Sequence, residues 1–399
     1  MKTFTKVALF LLLISVFIQA YLTMQHYPLK LGFSTGPSIC TLNQTFDCDA
    51  VSASNYSTFL KIPISIWGGV LYLMTFGTLL LSWLQWTERP ERLKRFAYAC
   101  SLLSSGAALV MGAISLSLMS AYCLFCFALY GLSFAVTLLI YPTLSEPFFK
   151  NFLQDIPAYF TENKGILGTL IAIPVVSFMI HRMALSHYGA SELERLVNRG
   201  VQGWVAEPQQ TLSVPPLLTK GPDADKAKLV ISEFADFLCG HCKTASRSLH
   251  AFVSAHPDVR FEFFVFPLDG ACNPGIDRSS GRSCLLAKST YCAEKQKQGW
   301  AFHDIIFQYQ EQLLMSESVG AMKGDILKLT EHLAYSKEDL EACINSPETQ
   351  EAIEYQAQQG ISLKVRGTPA IFANGKALEL GQMIPVLEAV YEQSSSKGK

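Results

Sequence analysis

Five apolar runs dominate the first half of this chain, at about 7–24, 62–84, 96–119, 122–142 and 165–185. A helix needs roughly 20 apolar residues to cross a bilayer, so each run is long enough, or nearly so, to span one. Half of the residues are apolar and 16% are charged, which fits a membrane-embedded chain, yet almost all of the apolar excess lies before residue 186. The remainder has ordinary globular composition and is long enough for one soluble domain. A formal net charge of −1 and the lack of a basic cluster interleaved with aromatics give no reason to expect nucleic-acid binding.

The first run also resembles a signal peptide, with Lys2 and Lys6 as its basic region, Val7–Phe17 as its apolar region and Ile18-Gln19-Ala20 as a passable cleavage site. The apolar character continues through Tyr21-Leu22-Thr23-Met24, and Gln19 is its only strongly polar interruption, so the run is expected to stay as a helix. Arg89, Arg92, Lys94 and Arg95 between runs two and three are the densest short basic cluster, which places that loop and the N-terminus in the cytoplasm. Counting crossings, the loop at 25–61, the turn Ser120-Ala121-Tyr122 and everything after run five lie on the opposite side. Run five carries Pro174, tolerable where neighbouring helices satisfy the freed carbonyl, and its task is to return the chain to that side.

Of eleven cysteines, several stand in short-spaced pairs, and every paired one lies on the oxidising side of this topology. Cys123-Leu124-Phe125-Cys126 opens run four, where two thiols three positions apart share one face of a first helical turn and its positive dipole end favours thiolate. Taken alone, the motif is equally a pair of packing cysteines or half of a metal site. Cys40 and Cys48 stand on an exposed polar loop, as a static staple or as a reversible disulfide that swings towards a partner. The loop also holds the formal glycosylation acceptors Asn43-Gln44-Thr45 and Asn55-Tyr56-Ser57, which matter only in a eukaryotic secretory route. Cys100, inside run three without a nearby partner in sequence, reads as a packing residue.

The run Cys48-Asp49-Ala50-Val51-Ser52-Ala53-Ser54-Asn55-Tyr56-Ser57, then Ile62-Pro63, Gly68 and Tyr72, and later Cys123 and Cys126, resembles the vitamin K epoxide reductase family over about residues 7–142. The resemblance implies a four-helix bundle around a quinone, with Cys123 taking electrons from the loop pair and Cys126 facing the quinone ring. It also implies that Tyr130, one turn beyond Cys126, and Ser54 and Ser57 of the serine-rich loop border the head-group. Two positions depart from the family pattern. Lys61 stands where many relatives have glycine, and Ile64 falls where vertebrate members carry a substrate-contacting asparagine. An apolar Ile64 donates no hydrogen bond to an epoxide or carbonyl, so the expected oxidant is a respiratory quinone rather than vitamin K epoxide.

From about Ser186 to Lys226 the chain turns polar, with a short helical pattern at Ser191–Arg199 and then Pro208, Pro215, Pro216 and Pro222, which reads as a semi-extended linker over the membrane surface. Lys228–Phe237 reads as a buried strand leading into Cys239-Gly240-His241-Cys242 and a helix to about Ala255, and Gly367-Thr368-Pro369 precedes a second strand at Ala370–Ala373. Strand, Cys-x-x-Cys and helix, with an Xaa-Pro before a later strand, is the thioredoxin arrangement, in which a cis-proline lies beside the disulfide. Cys239, at a helix N-terminus and beside His241, is expected to be the low-pKa nucleophile, with the dipole and an imidazolium stabilising its thiolate, and Cys242 the resolving thiol. With a helical insertion at about 273–360, residues 227–393 resemble the periplasmic disulfide-oxidising branch of the thioredoxin superfamily. Cys272, Cys284, Cys292 and Cys343 in and beside the insertion allow three complete pairings. Pro274, Gly275 and Gly281 favour closure of Cys272 on Cys284.

The expected architecture is a membrane α-helical bundle followed by an α/β thioredoxin-like domain with a helical insertion. Its parts are a four-helix quinone-binding domain at 1–145, a cytoplasmic loop and fifth transmembrane helix at 146–187, a linker at 188–226 and the thioredoxin-like domain at 227–399. The expected function is disulfide generation at the expense of a quinone of the ubiquinone or menaquinone class. Electrons would run from reduced extracytoplasmic proteins to Cys239/Cys242, Cys40/Cys48, Cys123/Cys126 and the quinone, with Pro369 beside the first pair and no metal. The expected location is the inner membrane of a bacterium, multi-pass, with the N-terminus cytoplasmic and the thioredoxin-like domain periplasmic. Competing readings are a thiolate metal cage built from Cys40, Cys48, Cys123 and Cys126, and an exporter of reducing electrons, for which no thiol pair faces the cytoplasm.

Overall fold

The computed structural model describes residues 2–34, 38–41, 46–86, 88–119, 121–161, 164–190 and 192–396, and the chain forms two compact units that divide near residue 192. The acceptor Asn43-Gln44-Thr45 and Ser120 of the expected turn lie outside the described residues. In the first unit, α1 (Lys2–Leu31), α3 (Ile64–Trp83), α4 (Pro90–Leu118) and α5 (Leu124–Ile140) include four spans long and apolar enough to cross a bilayer. They share a core in which Ala8 and Leu12 of α1 meet Tyr72, Leu79, Ala97, Leu129 and Val136, so the first run is a member of the bundle. Gly68 of α3 lies so close to Gln19 of α1 that a Cβ there would collide with the amide. The polar interruption of run one is thus buried where the two helices approach most tightly.

Hydroxyls inside these helices mostly return to carbonyls one turn earlier, as Ser15 does to Leu11, Thr75 to Leu71 and Ser104 to Cys100, which satisfies them without water. Others reach across, as Thr23 of α1 does to Ser65 of α3 at 2.8 Å. Tyr72 on α3 lies 2.6 Å from Ser133 on α5, and Ser105 on α4 lies 2.9 Å from Thr137 on α5. Cys100 is buried and unbonded against Phe96, Leu71 and Phe152, a packing residue as expected. A six-residue helix, α2 (Cys48–Ala53), and a two-stranded ribbon, β1 (Thr58–Phe59) with β2 (Ile62–Pro63), fill the connection before α3.

Two features depart from expectation. The segment read as a loop after α5 contains an amphipathic helix, α6 (Phe148–Thr161), whose Phe148 and Phe152 pack on the bundle and whose buried Asp155 pairs with Arg92 at 3.1 Å and Arg95 at 2.7 Å. Its period of apolar residues is broken by polar ones and falls short of a span. Helix α7 (Lys164–His187) includes run five, but its qualifying apolar stretch, Ile171–His187, is shorter than the four spans.

The second unit is built on a five-stranded sheet of order β3-β5-β4-β6-β7. Its strands are β3 (Leu218–Lys220), β4 (Leu229–Ala235), β5 (Val259–Val265), β6 (Ala370–Ala373) and β7 (Lys376–Ala377). β4 runs parallel to β5, with Phe234 opposite Phe264, and antiparallel to β6; α9 (Gly240–Ala255) makes the β4-to-β5 crossover. Phe234, Phe264 and Phe372 pack together in one buried cluster, and Phe237 and Phe263 in another. The second cluster includes residues of the insertion, α10 (Arg282–Lys295), α11 (Gly299–Gln308), α12 (Gln310–Leu314), α13 (Val319–Leu329), α14 (Lys337–Ile344) and α15 (Pro347–Ser362). The connection expected to be a linker instead contributes α8 (Leu193–Ala206) and β3 to this unit. α8 packs against α16 (Ile384–Ser396), and the Trp204 indole donates to the Ala373 carbonyl at 2.9 Å. The helical pattern expected at Ser191–Arg199 overlaps α8, but its buried residues, Gly200 and Trp204, lie beyond that stretch, so the docking of the helix was not legible from it.

Cys272 bonds to Cys284, the pairing the loop composition favours, and Cys292 to Cys343. The second bridge joins α10 to α14 across 51 residues, the first closes 12. Chain-entropy reasoning assigns about 4 kcal/mol to the long closure and about 3 kcal/mol to the short one. Urea titration of Cys292→Ser/Cys343→Ser should therefore give a lower midpoint than Cys272→Ser/Cys284→Ser.

Candidate redox centres

Two disulfides meet in the first unit. Cys40 is bonded to Cys48 and Cys123 to Cys126, and Cys40, Cys48 and Cys123 form one buried cluster ringed by Leu22, Val51, Phe125 and Cys126. Local capping explains the meeting. The Asp47 carboxylate accepts from the backbone of Asp49 and Ala50 at 2.9 and 3.0 Å and so starts α2 at Cys48. The Asp47 amide donates to the Tyr122 carbonyl at 3.0 Å, beside a bridge between Phe46 and Tyr122, which ties Cys48 to the residue before Cys123. The Asp49 carboxylate accepts from the Ser38 hydroxyl at 2.8 Å and the Thr41 hydroxyl at 3.0 Å and folds the Cys40 turn inwards. Cys123 caps α5, its sulfur accepting from the Cys126 amide at 3.1 Å. The expectation of an exposed loop pair is corrected, since Cys40 is 1% and Cys48 4% exposed. The loop's polar side chains satisfy one another rather than water.

A cavity of about 450 Å³ opens beside these sulfurs, a size usual for small-ligand sites. Cys48, Cys123, Cys126, Tyr130, Ser57 and the apolar Ile64 all border it. Ser54 does not. Its hydroxyl donates to the Val51 carbonyl at 2.7 Å and its amide to Ala50 and Val51, so it closes α2 instead of facing a ligand. Mostly hydrocarbon walls with a few hydroxyls next to a redox disulfide fit a planar, weakly polar ring.

In the second unit Cys239 caps α9, and Cys242 is buried in its first turn. The Cys239 sulfur lies 3.3 Å from the Thr368 carbonyl, and the Thr368–Pro369 peptide is cis, which puts Pro369 beside the pair. The Cys239 thiol is pushed down to about 5, chiefly by a hydrogen bond from Cys242, against burial, and then by Thr368 and the backbone N–H groups of Cys242 and His241. The imidazole of His241 is exposed and not among these causes; its backbone amide is, which corrects the imidazolium explanation. Burial pushes the Cys242 thiol up.

Two residues that sequence reasoning passed over complete this site. Glu233 is fully buried in β4, has no hydrogen-bond partner among the described residues, and is raised to about 8 by burial and then by the Cys239 charge. One acidic residue inside an otherwise apolar strand was the available signal. Gln310 of α12 donates to the carbonyls of Phe237 and Cys239 at 2.8 and 3.0 Å and fixes the turn from the insertion, a contact without a sequence signature.

Residues 6–141 match the sequence model of the vitamin K epoxide reductase family, and residues 224–386 match a thioredoxin model. No curated protein sequence matches the chain. Solved structures similar to it include oxidised BdbD from Bacillus subtilis, at 18% identity over 47% of this chain and 97% of that one, with a TM-score of 0.38. A thioredoxin-like oxidoreductase from Silicibacter pomeroyi matches at 20% identity over 45% and 92%, with a TM-score of 0.35. DsbA2 from Pseudomonas aeruginosa matches at 21% over 46% and 97%, with a TM-score of 0.34.

Iodoacetamide labelling of Cys239 in the reduced protein should rise with pH around a midpoint near 5. In Cys242→Ala, which removes the largest cause of the depression, the midpoint should move up by at least one pH unit. Glu233, whose pKa is raised on folding, stabilises the fold least above that value, because its stability contribution is lost as pH rises from the unfolded value near 4.5 to about 8. Glu233→Leu should therefore raise the melting temperature more at pH 8 than at pH 4, and equal gains at both would contradict this.

Proposed function

From a chain that joins a vitamin K epoxide reductase family domain to a thioredoxin-like domain and is a membrane thiol–disulfide oxidoreductase, we propose a specific task. It makes disulfides in extracytoplasmic proteins and passes the electrons to a quinone of the ubiquinone or menaquinone class. The observation that carries this reading is the meeting of Cys40–Cys48 and Cys123–Cys126 in one buried cluster at the wall of an apolar cavity. The cysteines are bonded pairwise, which supports a relay over a thiolate cage.

A client thiolate attacks the Cys239–Cys242 disulfide at Cys239, and a second client thiol displaces it, leaving an oxidised client and a reduced pair. Cys239, a thiolate at neutral pH, then attacks Cys40–Cys48. Cys242 resolves the mixed disulfide as its thiol gives up a proton. Because both loop sulfurs are buried, this transfer requires the Ser38–Thr41 turn to come away from Asp49. A loop thiolate next attacks Cys123, Cys126 leaves as a thiolate, and the other loop cysteine resolves. Re-formation of Cys123–Cys126 releases two electrons and two protons, which a quinone held in the cavity would take up. Cys126, Tyr130 and Ser57 would border it, and Ile64 offers no donor, which favours a respiratory quinone over vitamin K epoxide.

In this reading the four spans and α7 cross the inner membrane of a bacterium, with the basic segment after α3 in the cytoplasm and the second unit in the periplasm. The fragment from residue 193, which retains α8 and β3, should oxidise a reduced client once and then stop, because quinone does not regenerate it. Sustained turnover by that fragment with quinone alone defeats the relay. In the full chain, Cys126→Ser combined with removal of one loop cysteine should trap a bond between Cys123 and the other, since the resolving thiols are gone. Proteolysis between α1 and α5 would then yield fragments that separate only after reduction. Absence of the bond in both single-loop variants would show that the loop does not feed Cys123.

A further inference from the structure

We infer that His26, oriented by Ser52, is the proton donor of the cavity, serving the carbonyl oxygen of the bound quinone. The inference rests on the quinone reading above and deepens it. Gln19, Leu22 and His26 recur at intervals of three and four on one face of α1, and that face borders the cavity holding Cys126 and Tyr130. His26 is 6% exposed, and its Nδ1 lies 3.0 Å from the hydroxyl of Ser52, another lining residue, so the ring is held in a fixed orientation at the wall.

The chemistry singles out this residue. Oxidation of the Cys123 and Cys126 thiols to a disulfide releases two electrons and two protons, and reduction of a quinone to its quinol consumes the same. The other titratable lining groups are Asp49, Tyr56, Tyr72, Tyr130 and the thiols of Cys48, Cys123 and Cys126, and the Tyr27 ring packs edge-on against His26. The Tyr72 hydroxyl is held by Ser133 at 2.6 Å. Imidazole as a class exchanges protons near neutrality, and His26 is the one imidazole among the described lining residues. The Asp49 carboxylate is moreover engaged by Ser38 and Thr41. Ile64 cannot donate, and His26 adds an imidazole donor to the hydroxyls of this wall. The imidazole gives one proton to the ring oxygen and recovers one from those leaving the thiols, so it is unchanged over a turnover.

The test uses the full chain in lipid nanodiscs with decylubiquinone. Binding is read from quenching of tryptophan fluorescence, Trp67 being part of the cavity wall. The oxidation of reduced Cys123/Cys126 is read in a single turnover by rapid alkylation. His26→Gln keeps the size and a donor but has no exchangeable acid. It should bind quinone within about threefold of the wild type and oxidise the pair at least ~100-fold more slowly, the scale of general acid catalysis. In His26→Ala, added imidazole should recover at least about tenfold of the lost rate. A His26→Gln rate within threefold of the wild type overturns the proposal, as does a rate loss matched by an equal loss of binding or a His26→Ala rate that imidazole leaves unmoved. Should His26→Gln fail to fold, Ser52→Ala decides: a displaced pH–rate profile with unchanged binding supports the role, and an unchanged profile and rate refute it. Failure of the quinone reading looks different, as a wild-type protein that neither binds decylubiquinone nor is oxidised by it.

Discussion

The hydrogen bond from the Asp47 amide to the Tyr122 carbonyl joins two stretches about 75 residues apart, and the chemistry of the membrane unit depends on that junction. It sets the start of α2 against the start of α5. Each start carries a cysteine, Cys48 in the first turn of one helix and Cys123 at the cap of the other. The two helix starts thus bring the Cys40–Cys48 and Cys123–Cys126 disulfides into one buried cluster. The bundle supplies the remaining requirement, an apolar cavity bordering the same sulfurs.

The two units handle thiol acidity differently. In the thioredoxin-like unit Cys239 is held low by hydrogen bonds from Cys242 and the helix start, while Cys242 and Glu233 are driven up by burial, so the groups in one small volume are spread apart. A thiolate stabilised in this way favours the reduced pair and makes its disulfide a good oxidant of clients. In the first unit Cys40, Cys48 and Cys123 are buried and Cys126 partly so, with the Asp49 carboxylate clasping the hydroxyls of Ser38 and Thr41 beside Cys40. Cys239 is thus the partly accessible sulfur of the second unit, whereas Cys40, Cys48 and Cys123 are all buried.

Much of this was legible in the sequence because motif and period agreed. The four spans are continuous apolar runs, and the Cys239 turn and Pro369 each stand beside a strand of buried, β-branched and aromatic residues. What could not be read has a common cause, polar residues satisfied by partners far along the chain. Asp155 belongs with Arg92 and Arg95, 63 and 60 residues away, so α6 looked like loop. Trp204 answers the Ala373 carbonyl, 169 residues on, so the helical pattern of α8 looked like part of a linker and not of the second unit. Ser38, Thr41, Asp47 and Asp49 satisfy one another, so a buried cysteine pair looked exposed. Ser54, placed by resemblance at the head-group, caps a helix, while its neighbour Ser52 faces the cavity.

The measurement that bears most directly on the central claim is an anaerobic count of quinol formed against disulfides made in a reduced client by the full-length protein. The account predicts one quinol per client disulfide, and loss of quinol formation in Cys40→Ser/Cys48→Ser and in Cys123→Ser. Client disulfides appearing without quinol, or quinol forming at the wild-type rate in the loop-pair variant, would contradict it.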